Sequence, residues 1–165
     1  MEELYFSFGL KIIRVILSYI AVTIATNYTS QIYIDKVLVN QENPPHLINM
    51  CYLFVIIEFC MFVICVALVY FVLSNVIDNV VTKKSIENIM QIVLIDYVLG
   101  TIVSVITLNI IGNAMYSKKY FLYKDDGLRA IRAYGSIMTQ ISILNNLIPY
   151  NFLVNGAMSA VQKKS

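Results

Sequence analysis

The 165-residue chain has no tryptophan, one histidine, three cysteines and three prolines, and only 13% of its residues are charged. So little charge excludes a soluble globular domain, which carries roughly a quarter charged residues to cover itself with a water-facing surface. Cys51, Cys60 and Cys65 lie in one apolar run without CxxC spacing; that excludes a disulfide scaffold and leaves them as small hydrophobes. His46, alone beside Pro44 and Pro45, has no second histidine or acid cluster to make a metal site. Twelve basic against ten acidic residues sum to +2, too little for a nucleic-acid footprint. GxSxG, HExxH, GxxxxGK[ST] and GxGxxG are all missing, so the expectation is a protein without catalytic residues or cofactor.

What the chain has is apolar length: 59% hydrophobic residues, a mean hydropathy of +0.73, and 25 isoleucines against 8 alanines. A bilayer core about 30 Å thick needs about 20 apolar residues of helix. Three windows qualify, near 12–34, 50–77 and 89–116. The second contains one charge, Glu58, and the third one, Asp96. The first is polar in its second half, ATNYTSQIYI, with Lys11 and Arg14 at its start. MEELYFSFGLK lacks a basic n-region and a small-residue cleavage site, so it reads as an uncleaved anchor. Pro44 and Pro45 mark a turn at one membrane face, and Asp78–Asn88 a helical hairpin at the other. Asn27-Tyr28-Thr29 matches a glycosylation sequon but falls inside the first window. The fold class expected is all-α, one transmembrane helical bundle over 1–165.

The last fifty residues hold a fourth helix. Tyr116, Tyr120, Phe121 and Tyr123 interleave with Lys118, Lys119 and Lys124, the pattern of an interfacial belt. Asp125 or Asp126 then caps a helix near 126–148, stopped by Pro149. At 100° per residue Ala130, Ile131, Tyr134, Ile137, Met138, Ile141, Leu144 and Ile148 share an apolar arc. Arg129, Arg132, Ser136, Thr139, Gln140, Ser142 and Asn146 lie opposite, and Asn145 breaks the pattern. Such a helix either lies in or re-enters from the interface, or makes a fourth span. The end, 162–165, is basic. With three spans the positive charge favours the face of Lys118–Arg132 as cytoplasmic; with four the two faces carry equal counts.

Intramembrane charges are the first functional candidates. Alternate spans start on the same face, so Arg14 and Asp96 come to similar heights and are expected to pair, fixing helix register. Glu58 is expected near the opposite face, partnered by Asn109, Tyr28 or Gln31. Asp96, Gly100, Ser104 and Thr107 share one face of the third span, either as a small-residue packing stripe or as a polar path. The segment Lys118–Arg132, with Arg129 and Arg132 on one face, is either a membrane-surface element or a handle for an acidic protein partner.

The composition and the tail YKDDGLRAIRAYG…NNLIPYNFL resemble small integral membrane proteins of nucleocytoplasmic large DNA viruses. The resemblance implies a virion internal membrane beneath a capsid, where such proteins join lipid to minor capsid components. The expected function is thus a structural anchor for a protein layer beside the membrane, with the bilayer and capsid-type proteins as partners and oligomerisation open. A channel or transporter subunit and an accessory subunit of an organellar complex are the alternatives. Alkaline carbonate washing should leave the chain in the membrane pellet; its release into the supernatant would overturn the multispan reading.

Overall fold

In the computed structural model, which describes residues 2–40, 42–76 and 80–162, five α-helices carry almost the whole chain. They are α1 (Glu2–Ile32), α2 (Leu47–Val76), α3 (Val80–Met115), α4 (Lys124–Leu147) and α5 (Tyr150–Gln162). A π-helical extension, Tyr33–Val39, continues α1, and a 3-10 turn, Tyr120–Leu122, precedes α4. Three helices are long and apolar enough to cross a membrane, so the chain is an integral multi-pass membrane protein. Lipid offers the backbone no hydrogen-bond partner, so these Ile- and Val-rich runs satisfy themselves as helices.

The four long helices form an antiparallel up-down-up-down bundle, with α1 packed on α2 and α4, and α3 on the same two. Each contributes a buried stripe at three- and four-residue spacing. On α1 it runs Leu10, Arg14, Ser18, Ala21, Ala25, Thr29, Tyr33; on α2, Leu47, Cys51, Phe54, Glu58, Phe62. On α3 it is Val93, Tyr97, Ser104, Leu108, and on α4 Ile131, Tyr134, Met138, Ser142, Asn145. Between lipid-solvated helices, close packing rather than hydrophobic exclusion holds the contact, and small residues supply it. Gly127 of α4 lies under the ring of Tyr33, and a Cβ at Gly135 would come within 2.5 Å of Thr26 Oγ1. Gly112 of α3 makes room for Tyr134, whose hydroxyl donates to the Leu108 carbonyl at 2.8 Å.

Side-chain pairs give the relative heights of the helices. Ser18 bonds Glu58, Ser142 bonds Ser18, and Phe62 stacks on Tyr97 with ring centroids 4.3 Å apart. At those heights most of the exposed large apolar side chains of the four helices form one band: Tyr5–Ile24 on α1, Tyr52–Val72 on α2, Ile92–Ile110 on α3 and Ile143–Ile148 on α4. About twenty residues of helix make a band about 30 Å tall, the thickness of a hydrocarbon core. The polar second half of α1 therefore stands beyond the band at the loop end. The first helix long and apolar enough to cross runs Tyr5–Val39 and contains the window at 12–34.

Of the alternatives open for the fourth helix, lying in the interface is not the one found: Gly127, Gly135 and Ser142 stand opposite Tyr33, Thr26 and Ser18, so α4 runs upright along the depth of α1. Two details of this helix and of the chain after it differ from expectation. Its N-cap is Tyr123, and Asp125 and Asp126 fall in the first turn, where the helix dipole favours them without a side-chain cap. After Pro149 the chain forms α5, a helix the sequence reading did not foresee.

Gly127→Ala should lower unfolding stability in detergent by about 1–3 kcal/mol, because the new Cβ meets the Tyr33 ring. Gly156→Ala, in open space on α5, should be neutral or stabilising by up to about 1 kcal/mol. Denaturant titration followed by helical circular dichroism compares the two.

Candidate functional site

The middle of the apolar band holds a polar centre built by all five helices. Arg14, 5% exposed, places its guanidinium carbon 4.6 Å from the centroid of the Tyr97 ring, a cation–π contact in a desolvated place. Gly100 gives it space: a Cβ there would lie 3.2 Å from Arg14 Nη2 and 3.3 Å from Tyr150 Cε2. Glu58, 3% exposed, accepts a hydrogen bond from Ser18 Oγ, which in turn accepts one from Ser142 Oγ at 2.7 Å. Asn145 donates through Nδ2 to Ser104 Oγ at 2.5 Å, and its Oδ1 accepts the Tyr150 hydroxyl at 2.5 Å. These bonds tie α4 to α1, α3 and α5, each worth about 0.6 kcal/mol and at most about 1.7 kcal/mol in lipid.

A helix break lies at the same depth. The residue before a proline avoids the α region, and Ile148 is extended, with φ −83° and ψ 122°. The chain restarts as α5, and Asp96 accepts the backbone N–H of Asn151, in the first turn of α5, at 2.6 Å. The positive end of α5 thus meets a carboxylate. Leu147, Ile148 and Pro149 face outward at the break, and its carbonyls are taken up locally, that of Ile148 by the Tyr150 N–H at 3.1 Å and that of Pro149 by the Phe152 N–H at 3.1 Å.

Asp96 is therefore spent on α5, and the expected Arg14–Asp96 ion pair does not form. Among the described residues the ion pair present is Lys36–Glu42, 3.8 Å apart at the loop end. Glu58 is not near a face, because Ser18 stands opposite Glu58, which brings Glu58 within one helical turn of Arg14's height. Its expected partners lie elsewhere: Asn109 bonds its own helix at Val105, and Tyr28 and Gln31 are exposed towards the loop end. The stripe on α3 is divided among neighbours, with Gly100 under Arg14, Ser104 on Asn145, and Thr107 bonded back to the Val103 carbonyl. Asn145, the break in the apolar arc of α4, points inward because it has partners there, while Leu144 and Leu147 face out.

At the loop end a second constellation is locked together. Tyr33 Oη lies 2.9 Å from the Phe121 carbonyl and 3.1 Å from that of Tyr123, and its ring meets Phe121 edge-on at 5.6 Å. His46 stacks on Tyr116 at 4.0 Å. The expected aromatic belt therefore splits: Tyr116 and Phe121 turn inward as fasteners, while Lys118, Lys119, Tyr120, Tyr123, Lys124, Arg129 and Arg132 remain exposed. Phe121 floors a groove flanked by Pro44, Lys118 and Leu122. No clustered Cys, His, Asp or Glu suited to a metal ion occurs among the described residues.

The architecture defines a class: an integral membrane helical bundle with a buried polar centre and a structured loop face. Comparison with family models, curated proteins and solved structures gives no match to this chain.

Asn145→Ala removes one group and orphans two, Ser104 and Tyr150, so it should cost about 1–2 kcal/mol of stability in detergent. Asn155→Ala, exposed on α5, should change stability by less than about 0.5 kcal/mol. An equal effect of the two in the same unfolding titration would overturn the hydrogen-bonded reading of the centre.

Proposed function

We propose that the protein is a non-enzymatic structural membrane protein that anchors a protein layer lying against the bilayer. The single observation that carries this reading is the loop end. Buried fasteners hold two connecting segments rigid while aromatic and basic side chains point outward beyond the apolar band. A surface already ordered before binding loses little conformational freedom when a partner docks. Tyr120, Leu122 and Tyr123 supply apolar contact area, and Lys118, Lys119, Lys124, Arg129 and Arg132 the charge that selects an acidic partner. The upright bundle below supplies retention in lipid. Composition and tail, which resemble small inner-membrane proteins of large DNA viruses, support a virion internal membrane as its place and a capsid-type layer as its partner.

Amine-reactive crosslinking on the intact source membrane tests the reading. Lys118, Lys119 and Lys124 should crosslink reproducibly to one or a few acidic membrane-adjacent proteins, in fixed stoichiometry and with resistance to mild detergent. Arg129→Glu with Arg132→Glu should weaken that association roughly tenfold, about 1.4 kcal/mol. Free extraction with no reproducible crosslink would refute the anchor.

A further inference from the structure

Two connecting segments enclose a groove of about 340 Å³ at the loop end. Val37, Leu38, Asn43 and Pro44 come from one segment, Lys118, Leu122 and the buried Phe121 from the other. We propose that this groove is the docking site for the partner layer: it takes one large apolar side chain from an extended acidic segment of the membrane-adjacent protein, with a neighbouring carboxylate of that segment on Lys118. The inference rests on the anchoring reading and names the element by which the partner is recognised.

Depth decides between lipid and protein as the occupant. The apolar band on α1 ends near Ile24, and Val37 lies roughly 15–20 Å further along the same axis at helical rise. Phe121, whose carbonyl is bonded by Tyr33, belongs to that same outlying end. The headgroup layer adds only about 5–8 Å on each side of the hydrocarbon. Acyl chains therefore stop short of the groove, and its apolar walls open to water. Leu122 and, beside the groove, Val39 and Tyr123 are exposed there as well. A clustered apolar surface kept in water marks a protein contact.

Both walls are held before anything binds. The Glu42 N–H donates to the Lys36 carbonyl at 2.9 Å and closes the turn next to Asn43. The Phe121 N–H donates to the Lys118 carbonyl at 3.2 Å, and Tyr33 fastens that segment to the bundle. A groove formed in advance needs no ordering when an occupant enters.

Charge selects the chemistry of the occupant. Glu42, the carboxylate among the lining residues, is 3.8 Å from Lys36. Lys118 has no carboxylate within 4 Å among the described residues, and Lys119 and Lys124 stand exposed after it in the same segment. The excess is positive, which repels a basic segment, the end of this chain with Lys163 and Lys164 included. A lysine ammonium takes a carboxylate as a point charge, so an acid one or two positions from the apolar residue reaches it without fixed geometry. The apolar side chain supplies the affinity and the rim charge the selection.

The test places a photo-reactive diazirine amino acid at Leu122 of the full chain in its source membrane, with Phe59 in the apolar band as the control position. The Leu122 adduct should fall on an acidic membrane-adjacent protein, within a peptide that carries a large apolar residue and an Asp or Glu one or two positions away. A fluorescein-labelled synthetic copy of that peptide should bind the full chain in phosphatidylcholine nanodiscs. Lys118→Glu, and Asn43→Trp, which fills the groove, should each weaken binding roughly tenfold, as should serine at the peptide's apolar position. If either variant loses its helical circular dichroism, the serine peptide against the wild type carries the comparison. A Leu122 adduct with lipid or with a second copy of this chain, an adduct peptide without the acid–apolar pair, or binding unchanged by the substitutions would overturn the proposal. Amine crosslinks from Lys118, Lys119 and Lys124 without a Leu122 protein adduct would sink the groove and leave the anchor standing; absence of both would remove the anchor and the groove with it.

Discussion

Arg14 cannot discharge itself, and a permanent cation in the middle of an apolar band obliges the rest of the bundle to be built around it. Tyr97 offers its ring face and Gly100 its missing side chain. The polar residues of α4 fall at the same depth, so the helix with the most polar stripe packs where the charge lies. Its break at Pro149 sits there as well, and Asn145 and Asp96 hold the start of α5 through Tyr150 and Asn151.

Away from that centre the bundle relies on close approach. In lipid, apolar contact between helices gains little over contact with acyl chains, so surfaces must fit closely. Gly127 under Tyr33, Gly135 against Thr26 and Gly112 against Tyr134 are such fits, and two of these three tyrosine and threonine partners also reach backbone carbonyls. Tyr33 links the two regions of the molecule: it closes α1 on α4 and at the same time bonds the segment that leads into α4. The loop face is ordered by the same side chain that packs the bundle, which is why a surface of lysines and tyrosines has a defined shape.

Apolar run length made three helices, the class of the fold and the membrane setting readable without coordinates, since the backbone in lipid has no alternative to helix. The charges Arg14, Glu58 and Asp96 could be picked out for the same reason. Their partners could not. Height along a bundle depends on how α1 and α2 are set against each other, and a shift of a few residues moves a side chain by a whole turn. That shift turned an expected Arg14–Asp96 pair into a cluster with Glu58. It also hid α5, since Asn151 bonds Asp96 across 55 positions of sequence. On α4 the apolar arc faces inward through Ile131, Tyr134 and Met138, but at the depth of Arg14 the inward residues are Ser142, Asn145 and Asn146, a change of facing along one helix that a single periodicity does not show.

The sequence by itself determined the solvent and the backbone: too little charge for water, enough uninterrupted apolar length for three crossings, and proline where helices must stop. Composition acts locally, residue by residue, on whether a segment prefers lipid or water. Only the tertiary structure decided that three isolated charges share one depth, that Asp96 serves α5 and leaves Glu58 to hydroxyls, and that Tyr116 and Phe121 face inward while their neighbours face out. Each of those outcomes depends on the register between helices, set by glycine and tyrosine contacts between residues far apart in the chain, a quantity no single helix contains.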